Sequence, residues 1–395
     1  MTTPSPGLDR LRACLRWDAA GDRALRALDD AGWADVMEPV RAGDGQALLA
    51  RRLSRTPDIA VPDAVAQELH RFKLNAAIRA LACLSHLAPA VEAAGVPVLA
   101  LKGLDLASRV YGDFGSRPMG DMDILVRPTD VAAMSAALRA QGFRASTTLR
   151  QTSHHLVFHS PLRGGLPVEL HWALGEKVGE GDRANLLQAV WAQAEETTIA
   201  GAPFGVLRAP LQLVYLCHHL ERHLFETPLT HIWDLGEVLE QAGETFDWPE
   251  FWRLCERFGQ RKAAQAALHL ATACLGIPTP APPLPAHVQE LFPDIVAHLG
   301  RHPPTPANEP SVDLVLLSAP GTPWRVRWHV LRRQLLPSRR RLAQGGGGGA
   351  GPAAYAALWW KVGTTFLRKR VLRRRSVPST RARPLRAARL SAWLR

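Results

Sequence analysis

The stretch that decides the fold is RPMGDMDILV at residues 117–126, preceded by the short motif LKG at residues 101–103. Residues two apart in a β-strand project to the same side of the sheet, so Asp121 and Asp123 present both carboxylates to one point. The alternate residues are apolar and turn to the opposite side, where they can join a core. The stretch therefore predicts a buried strand with a pair of acidic groups at its start.

A third carboxylate follows in the motif VELHW at residues 168–172. Glu169 and His171 share one face of this second predicted strand, while Leu170 and Trp172 take the other. Acidic groups that meet in this way suit Mg²⁺, which binds few protein carboxylates and completes its octahedral shell with water and substrate phosphate. An isolated Asp-x-Asp pair is common on protein surfaces, so the combination with Glu169 is what indicates a metal site.

The elements around these motifs alternate between strand and helix. Residues 96–101 form a short apolar run bounded by glycines, typical of a buried strand, and a helix-like stretch at 104–111 follows directly. A helix is predicted over 131–141 and a hairpin over 155–172. This order predicts an α+β fold built on a small mixed sheet.

Four regions are predicted along the chain. Periodic Leu and Ala residues indicate an N-terminal helical region at 1–94, and an α/β core at 95–205 follows. Helical periodicity returns in a helical domain at 206–300. Residues 301–395 contain a Pro- and Gly-rich linker and an Arg-rich tail, which we expect to be basic and flexible.

The positive charge of the chain is concentrated in that tail. The formal net charge is +12, yet residues 325–395 hold 19 Lys and Arg and no Asp or Glu. The remaining residues carry 29 basic against 36 acidic groups, a net charge of −7. The body of the protein therefore lacks the basic footprint typical of nucleic-acid binding, and any affinity for polyanions belongs to the tail.

Three interpretations of the tail stay open. Disorder is the first, because Arg-rich segments such as residues 381–395 usually remain solvated. Residues 355–375 place Trp359, Trp360 and Phe366 beside cationic groups, which suits an anionic membrane surface or a partner protein. Nucleic acid is the third interpretation, through charge alone.

The sequence favours a location in the reducing cytoplasm. The five cysteines are odd in number, far apart and without a Cys-x-x-Cys pair, which argues against a disulfide framework or a zinc ribbon. Charged residues interrupt the first thirty positions, so we expect no secretory signal. No uninterrupted apolar run reaches the roughly 18 residues that a membrane helix requires, so we expect no membrane span.

A group of histidines on predicted helices is the rival site. It comprises His218, His219, His223 and His231, with Asp234 nearby. His219 and His223 are four residues apart and could bind zinc together, but the intervening LER does not give the His-Glu-x-x-His pattern of metalloproteases. His218 or Asp234 could instead hold a substrate. More often such residues are structural groups or surface imidazoles.

The run from residue 101 to residue 126, with ELHW at 169–172, resembles the bacterial nucleotidyltransferase-like family, an uncharacterised nucleotidyltransferase family of the DNA polymerase β superfamily. The resemblance covers roughly residues 65–240. It implies a sheet of nucleotidyltransferase topology in which Asp121 and Asp123 form the metal-binding pair and Glu169 is the third carboxylate.

The turn before the first helix departs from the superfamily pattern. Gly103 matches the turn glycine, but the serine of the common Gly-Ser turn, which contacts nucleotide phosphates, is missing. Lys102 could supply a point charge to the triphosphate instead, although a lysine at a strand end is also common on any surface. Arg117 is a candidate for the leaving phosphates, and the long gap leaves residues 111–118 free to form a loop over the site.

The resemblance implies transfer of a nucleoside monophosphate. Mg²⁺ or Mn²⁺ held by Asp121, Asp123 and Glu169 would bind a nucleoside triphosphate, an acceptor hydroxyl of a small molecule, peptide or protein would attack the α-phosphate, and pyrophosphate would leave. The alternative is an inactive nucleotide-binding or scaffold protein of the same fold, whose basic tail docks on a partner or a membrane. The three acids favour the enzyme, whereas the missing serine favours the alternative. A polymerase-like enzyme ranks lower because the body is acidic.

Overall fold

A computed structural model describes most of the chain up to residue 299. The described residues are 6–43, 45–146, 155–174, 187–225 and 227–299, with isolated positions at 324, 328, 390, 393 and 394. Two compact units divide the chain: the larger comprises residues 5–283 and 296–300, and the smaller comprises 1–4, 284–295 and 301–395. The predicted basic tail lies almost entirely outside the described residues, so the expectations for it stay predictions.

Four short helices open the larger unit: α1 (Pro6–Cys14), α2 (Ala19–Arg26), α3 (Asp30–Ala42) and α4 (Gln46–Ser54). Aspartate side chains cap the N-termini of two of these helices, α2 and α3. Asp18 accepts a hydrogen bond from the backbone N–H of Gly21, and Asp29 accepts one from that of Gly32, which satisfies amides that a helix start leaves unpaired. These helices fall within the predicted N-terminal helical region.

The long helix α5 (Asp63–Ala94) has 32 residues. Its C-terminal half is buried on one side, where Leu84 and Leu87 join the core of the sheet. It ends at Gly95, whose φ of +60° lies in the left-handed region that glycine adopts without strain.

By length and composition alone, α5 qualifies as a membrane span, although 39% of its most apolar window is buried within the protein. The expectation of no membrane span stays a prediction. Buried helices of globular proteins also satisfy this criterion. One exposed stripe on α5 is apolar, since Leu74, Ile78 and Leu81 are each at least half exposed.

The described residues form one mixed sheet of seven strands, with the spatial order β3-β4-β5-β2-β1-β7-β6. The strands are β1 (Leu99–Ala100), β2 (Met122–Leu125), β3 (Arg144–Ala145), β4 (His155–His159), β5 (Val168–His171), β6 (Ala194–Ile199) and β7 (Ala202–Leu207). Pairs β2–β5 and β1–β7 are parallel, and the other pairs are antiparallel. The predicted α+β class with a mixed sheet is confirmed.

Helices connect and cover the central strands. Between β1 and β2 run α6 (Lys102–Asp105) and a π-helical turn (Leu106–Val110), and a 3₁₀ turn (Pro128–Asp130) leads from β2 into α7 (Val131–Ala140). Apolar residues of α5, α7 and alternate strand positions form one buried cluster. Because strand side chains alternate, the polar residues between those positions project from the opposite face of the sheet.

A helical layer follows the sheet: α8 (Ala209–Arg222), α9 (Leu229–Ala242), α10 (Trp248–Arg257) and α11 (Arg261–Leu275), after which come α12 (Ala286–Gln289) and α13 (Phe292–His298). Buried Trp233, Leu235 and Phe251 form the centre of packing among α8 to α11. These helices lie within residues 206–300, and the bounds of the predicted helical domain stay a prediction.

We expect Leu170→Ala to lower the free energy of unfolding by about 2–5 kcal/mol, because Leu170 is fully buried in the sheet core and its removal leaves a cavity. Ile78→Ala on the exposed stripe of α5 should change it by no more than about 0.5 kcal/mol. Urea unfolding of both variants measures the difference. A loss at position 78 as large as that at position 170 would show that this stripe is covered in solution.

Candidate active site

The site begins with the register of two parallel strands. Asp123 on β2 lies directly beside Glu169 on β5, on the face opposite the α5 and α7 core. Both carboxylates approach the same imidazole: His171 Nε2 lies 2.8 Å from Asp123 Oδ1 and 3.3 Å from Glu169 Oε2. The two predicted strands therefore bring these two acids to one point.

Asp121 lies just before β2 and faces the same negative charges. Burial, together with the charges of Asp123 and Glu169, raises the pKa of Asp121 to about 6. Within the described part of the chain, Asp121 makes no hydrogen bond or ion pair. The charges of Lys102 and His171 oppose this rise without cancelling it, so a further cation beside Asp121 would be stabilised.

Asp123 is compensated by cations instead. Its side chain is 3% exposed, and Lys102 Nζ lies 3.3 Å from Oδ2 and 3.4 Å from Oδ1. Burial alone would raise the pKa of Asp123, but Lys102 and His171 outweigh burial and hold that pKa well below its usual range. Asp123 therefore stays ionised at neutral pH.

The turn that carries Lys102 is unusually tight. Lys102 has a φ of +40°, a conformation that favours glycine and costs a lysine about 1–3 kcal/mol. At Gly103, an added Cβ would approach Met119 Cγ to 2.9 Å, so a side chain at this position would require Met119 to shift. The strained turn places the Lys102 ammonium against Asp123, and Gly103 shapes the turn without contributing a polar side chain.

His155 is a site residue that the sequence did not indicate. Antiparallel pairing of β4 with β5 sets His155 opposite His171, with ring centroids 4.9 Å apart. His155 Nε2 lies 3.7 Å from Glu169 Oε2. Burial lowers the pKa of His155 despite the nearby acid, whereas for His171 the bonds to Asp123 and Glu169 outweigh burial and raise the pKa.

Helix α8 adds aromatic groups on the same side as Lys102. Lys102 Nζ lies 5.9 Å from the centroid of the buried Tyr215 ring, and burial raises the pKa of Tyr215 to about 12. His219 packs its ring 4.8 Å from His223 and 4.7 Å from His231. Burial first, and then the charge of Lys102, lower the pKa of His219, so its imidazole is neutral at pH 7.

Arg117 forms an ion pair with Asp234, whereas the sequence made it a candidate for binding the leaving phosphates. Its Nε and Nη2 each lie 2.7 Å from an oxygen of Asp234, and Tyr111 donates a hydrogen bond of 2.8 Å to Asp234 Oδ1. All three side chains are buried. The pair anchors the loop at 111–118 to α9. The binding of the leaving phosphates by Arg117 stays a prediction. This geometry does not support it, because Nε and Nη2 of the Arg117 guanidinium group are both bonded to Asp234.

Comparison with known families agrees with this geometry. A family model described as an uncharacterised nucleotidyltransferase matches residues 29–276. The chain belongs to this nucleotidyltransferase family. The matched segment contains all the site residues described above, and the family resemblance seen in the sequence is confirmed.

The similarity of the chain to individual known proteins is low. Among solved structures, the antibiotic-resistance factor ANT(2'')-Ia, known from its solution structure, is similar over 48% of this chain and 96% of its own, with 14% sequence identity and a TM-score of 0.34. None of the curated proteins compared with the chain matches it.

We expect Asp234→Ala to lower the free energy of unfolding by about 3–5 kcal/mol, because it leaves the Arg117 guanidinium buried without its partner. Glu68→Gln is the matched control. It breaks the ion pair with Arg41 on the surface, where solvent screens the charges, and should have a much smaller effect. Denaturant titration measures both, and equal losses would contradict the anchoring role.

We expect Asp121→Asn to stabilise the metal-free protein at pH 8. The folded-state pKa of about 6 lies above the ordinary value, so this acid's contribution to stability is present at acidic pH and is lost as the pH rises through 6. Asparagine cannot ionise, so the variant should gain about 1–2 kcal/mol at pH 8 and almost nothing at pH 4.

Unfolding by urea in the presence of a chelator measures this gain. Glu196→Gln, at an exposed acid on β6, is the control variant. A loss of stability for Asp121→Asn at pH 8 would contradict the electrostatic account of the site.

Proposed function

We propose that the protein is a metal-dependent nucleotidyltransferase that moves a nucleoside monophosphate from a nucleoside triphosphate to a hydroxyl of a small molecule, peptide or protein. The observation that carries the proposal is the convergence of Asp121, Asp123 and Glu169 in a chain that belongs to a nucleotidyltransferase family. Burial and the charges of Asp123 and Glu169 together raise the pKa of Asp121, which supports a cation among these acids.

The donor set fits Mg²⁺ or Mn²⁺. Carboxylate oxygens are the ligands that these hard cations prefer, and Asp121, Asp123 and Glu169 would hold the ion. When bound, the ion neutralises phosphate charge and polarises the phosphoryl group.

Lys102 would bind the triphosphate as a point charge. Its ammonium group is only partly exposed and is fixed beside Asp123 by the left-handed turn. Electrostatic attraction is stronger at such a shielded position than at an open surface. This arrangement offers a substitute for the serine that the turn lacks.

Glu169 is the best placed of the acids to receive the acceptor's proton. Its side chain is 25% exposed, compared with 3% for Asp123, so an acceptor hydroxyl can approach it. The hydrogen bond from His171 lowers the pKa of Glu169, which keeps the carboxylate ionised at neutral pH. Its role would be to orient the hydroxyl and accept the proton as the oxygen attacks the α-phosphate.

One observation favours the second candidate, a nucleotide-binding or scaffold protein without activity. Lys102 already neutralises Asp123, and such an ion pair competes with a metal for that carboxylate. In this alternative the basic tail would dock on a partner protein or a membrane surface, with nucleic acid ranked below them. A cytoplasmic location is proposed for both candidates.

The assay supplies the protein with an α-labelled nucleoside triphosphate, Mg²⁺ or Mn²⁺, and an extract of small molecules and proteins as acceptors. We expect the protein to release pyrophosphate and to label an acceptor. Asp121→Asn combined with Asp123→Asn should reduce this rate by about a thousandfold, because it removes the ligands of an ion that supplies several kcal/mol of transition-state stabilisation. Glu196→Gln, which neutralises an exposed acid on β6, should retain full activity.

The two candidates give different outcomes. Undiminished label transfer in the double variant would overturn the assignment of these acids. Nucleotide binding that depends on Lys102, without turnover of any of the four nucleoside triphosphates, would favour the inactive alternative.

A further inference from the structure

Three side chains at one end of the sheet form a compact group of metal-ligand type that includes two imidazoles. The donor atoms of His155, Glu169 and His171 all lie within 4.8 Å of one another. This group differs from the carboxylate set above, because Glu169 is the only member that the two share.

The fold fixes this group through strand register. His155 and His171 are directly opposite each other across β4 and β5, and Glu169 lies two residues before His171 on the same face. The alternate residues Leu156 and Leu170 face the apolar core. A slip of β4 or β5 by one residue would turn the donors of that strand to the opposite face and separate the cluster, so the pairing of these strands defines it.

The separations match what a small cation needs. Ligand bonds of about 2.0–2.2 Å at tetrahedral angles place the donor atoms about 3.3–3.6 Å apart. Glu169 Oε2 lies 3.3 Å from His171 Nε2 and 3.7 Å from His155 Nε2. A bound ion would take the lone pair of His171 Nε2 in place of the hydrogen bond that this atom shares with Asp123 Oδ1, 2.8 Å away.

The solvent exposure of these three side chains also suits a bound metal ion. The side chains of His155 and His171 are 13% and 4% exposed, whereas that of Glu169 is 25% exposed. The group is thus shielded by protein on most sides and open through Glu169. Exposure of Glu169 gives an ion a path to the group.

We propose that His155, Glu169 and His171 form a binding site for a divalent transition metal, with Zn²⁺ as the best match. Two imidazoles and one carboxylate suit Zn²⁺, whereas Mg²⁺ prefers oxygen donors alone. The site stands on this geometry and does not depend on nucleotidyl transfer. Because Glu169 serves both groups, Zn²⁺ bound here would hold Glu169 away from an acceptor hydroxyl and inhibit the proposed reaction.

The test uses Co²⁺ as a spectroscopic probe for Zn²⁺ on the full-length, chelator-treated protein. We expect one Co²⁺ per chain with the visible absorption of a low-coordinate nitrogen and oxygen site, displaced by Zn²⁺ but not by millimolar Mg²⁺. His155→Gln should weaken binding by about a hundredfold, since it removes a ligand. His155→Asp, which retains a donor, should weaken it less.

Two histidine variants serve as controls. His159→Gln alters an exposed histidine on the same strand and should bind Co²⁺ as the unaltered protein does. His223→Gln tests the helical histidines and should also bind normally. Unchanged affinity in His155→Gln, or lost affinity in His223→Gln, would overturn the proposal.

X-ray absorption of the unaltered protein loaded with one Zn²⁺ provides a readout that needs no variant. Two imidazoles with oxygen ligands are expected, and sulfur ligands or three imidazoles would contradict the site. Neither measurement involves a nucleotide. Failure of the zinc site is therefore distinguishable from failure of the proposed transferase activity.

Discussion

The in-register pairing of β2 with β5 is the constraint on which the site depends. It sets Asp123 beside Glu169, on the face opposite the core formed with α5 and α7. A slip of either strand by one residue would turn its carboxylate into that core and expose its apolar neighbour, Ile124 on β2 or Leu170 on β5, because strand side chains alternate. Burial of those apolar side chains therefore fixes the position of the acids, and packing on one face determines the chemistry on the other.

The balance of charge among the acids and cations of the site is a second constraint. Lys102 and His171 compensate Asp123, whereas Asp121 has no such contact among the described residues and its pKa rises to about 6. The site thus keeps one acid strongly ionised and another poised near neutrality. Perturbation of this kind is typical of functional sites, since a bound cation would relieve the repulsion that folding leaves in place.

Alternation along short motifs was enough to predict the α+β class and to place Asp123 and Glu169 on one face. Long-range pairing was not visible in the sequence. His155 joins the site only through the register of β4, and Arg117 finds Asp234 117 positions away. The β6–β7 hairpin escaped prediction because its turn uses Ala200 and Gly201, both at positive φ, where Asn-Gly would have been the usual signal.

The most direct test of the central claim is a crystal structure of the protein with Mn²⁺ and a non-hydrolysable nucleoside triphosphate, in which anomalous scattering locates the ion. The account predicts Mn²⁺ within bonding distance of carboxylate oxygens from both Asp121 and Asp123, with the triphosphate beside Lys102. Mn²⁺ bound elsewhere, such as among the histidines of α8 and α9, with the three acids free of metal and nucleotide, would contradict it.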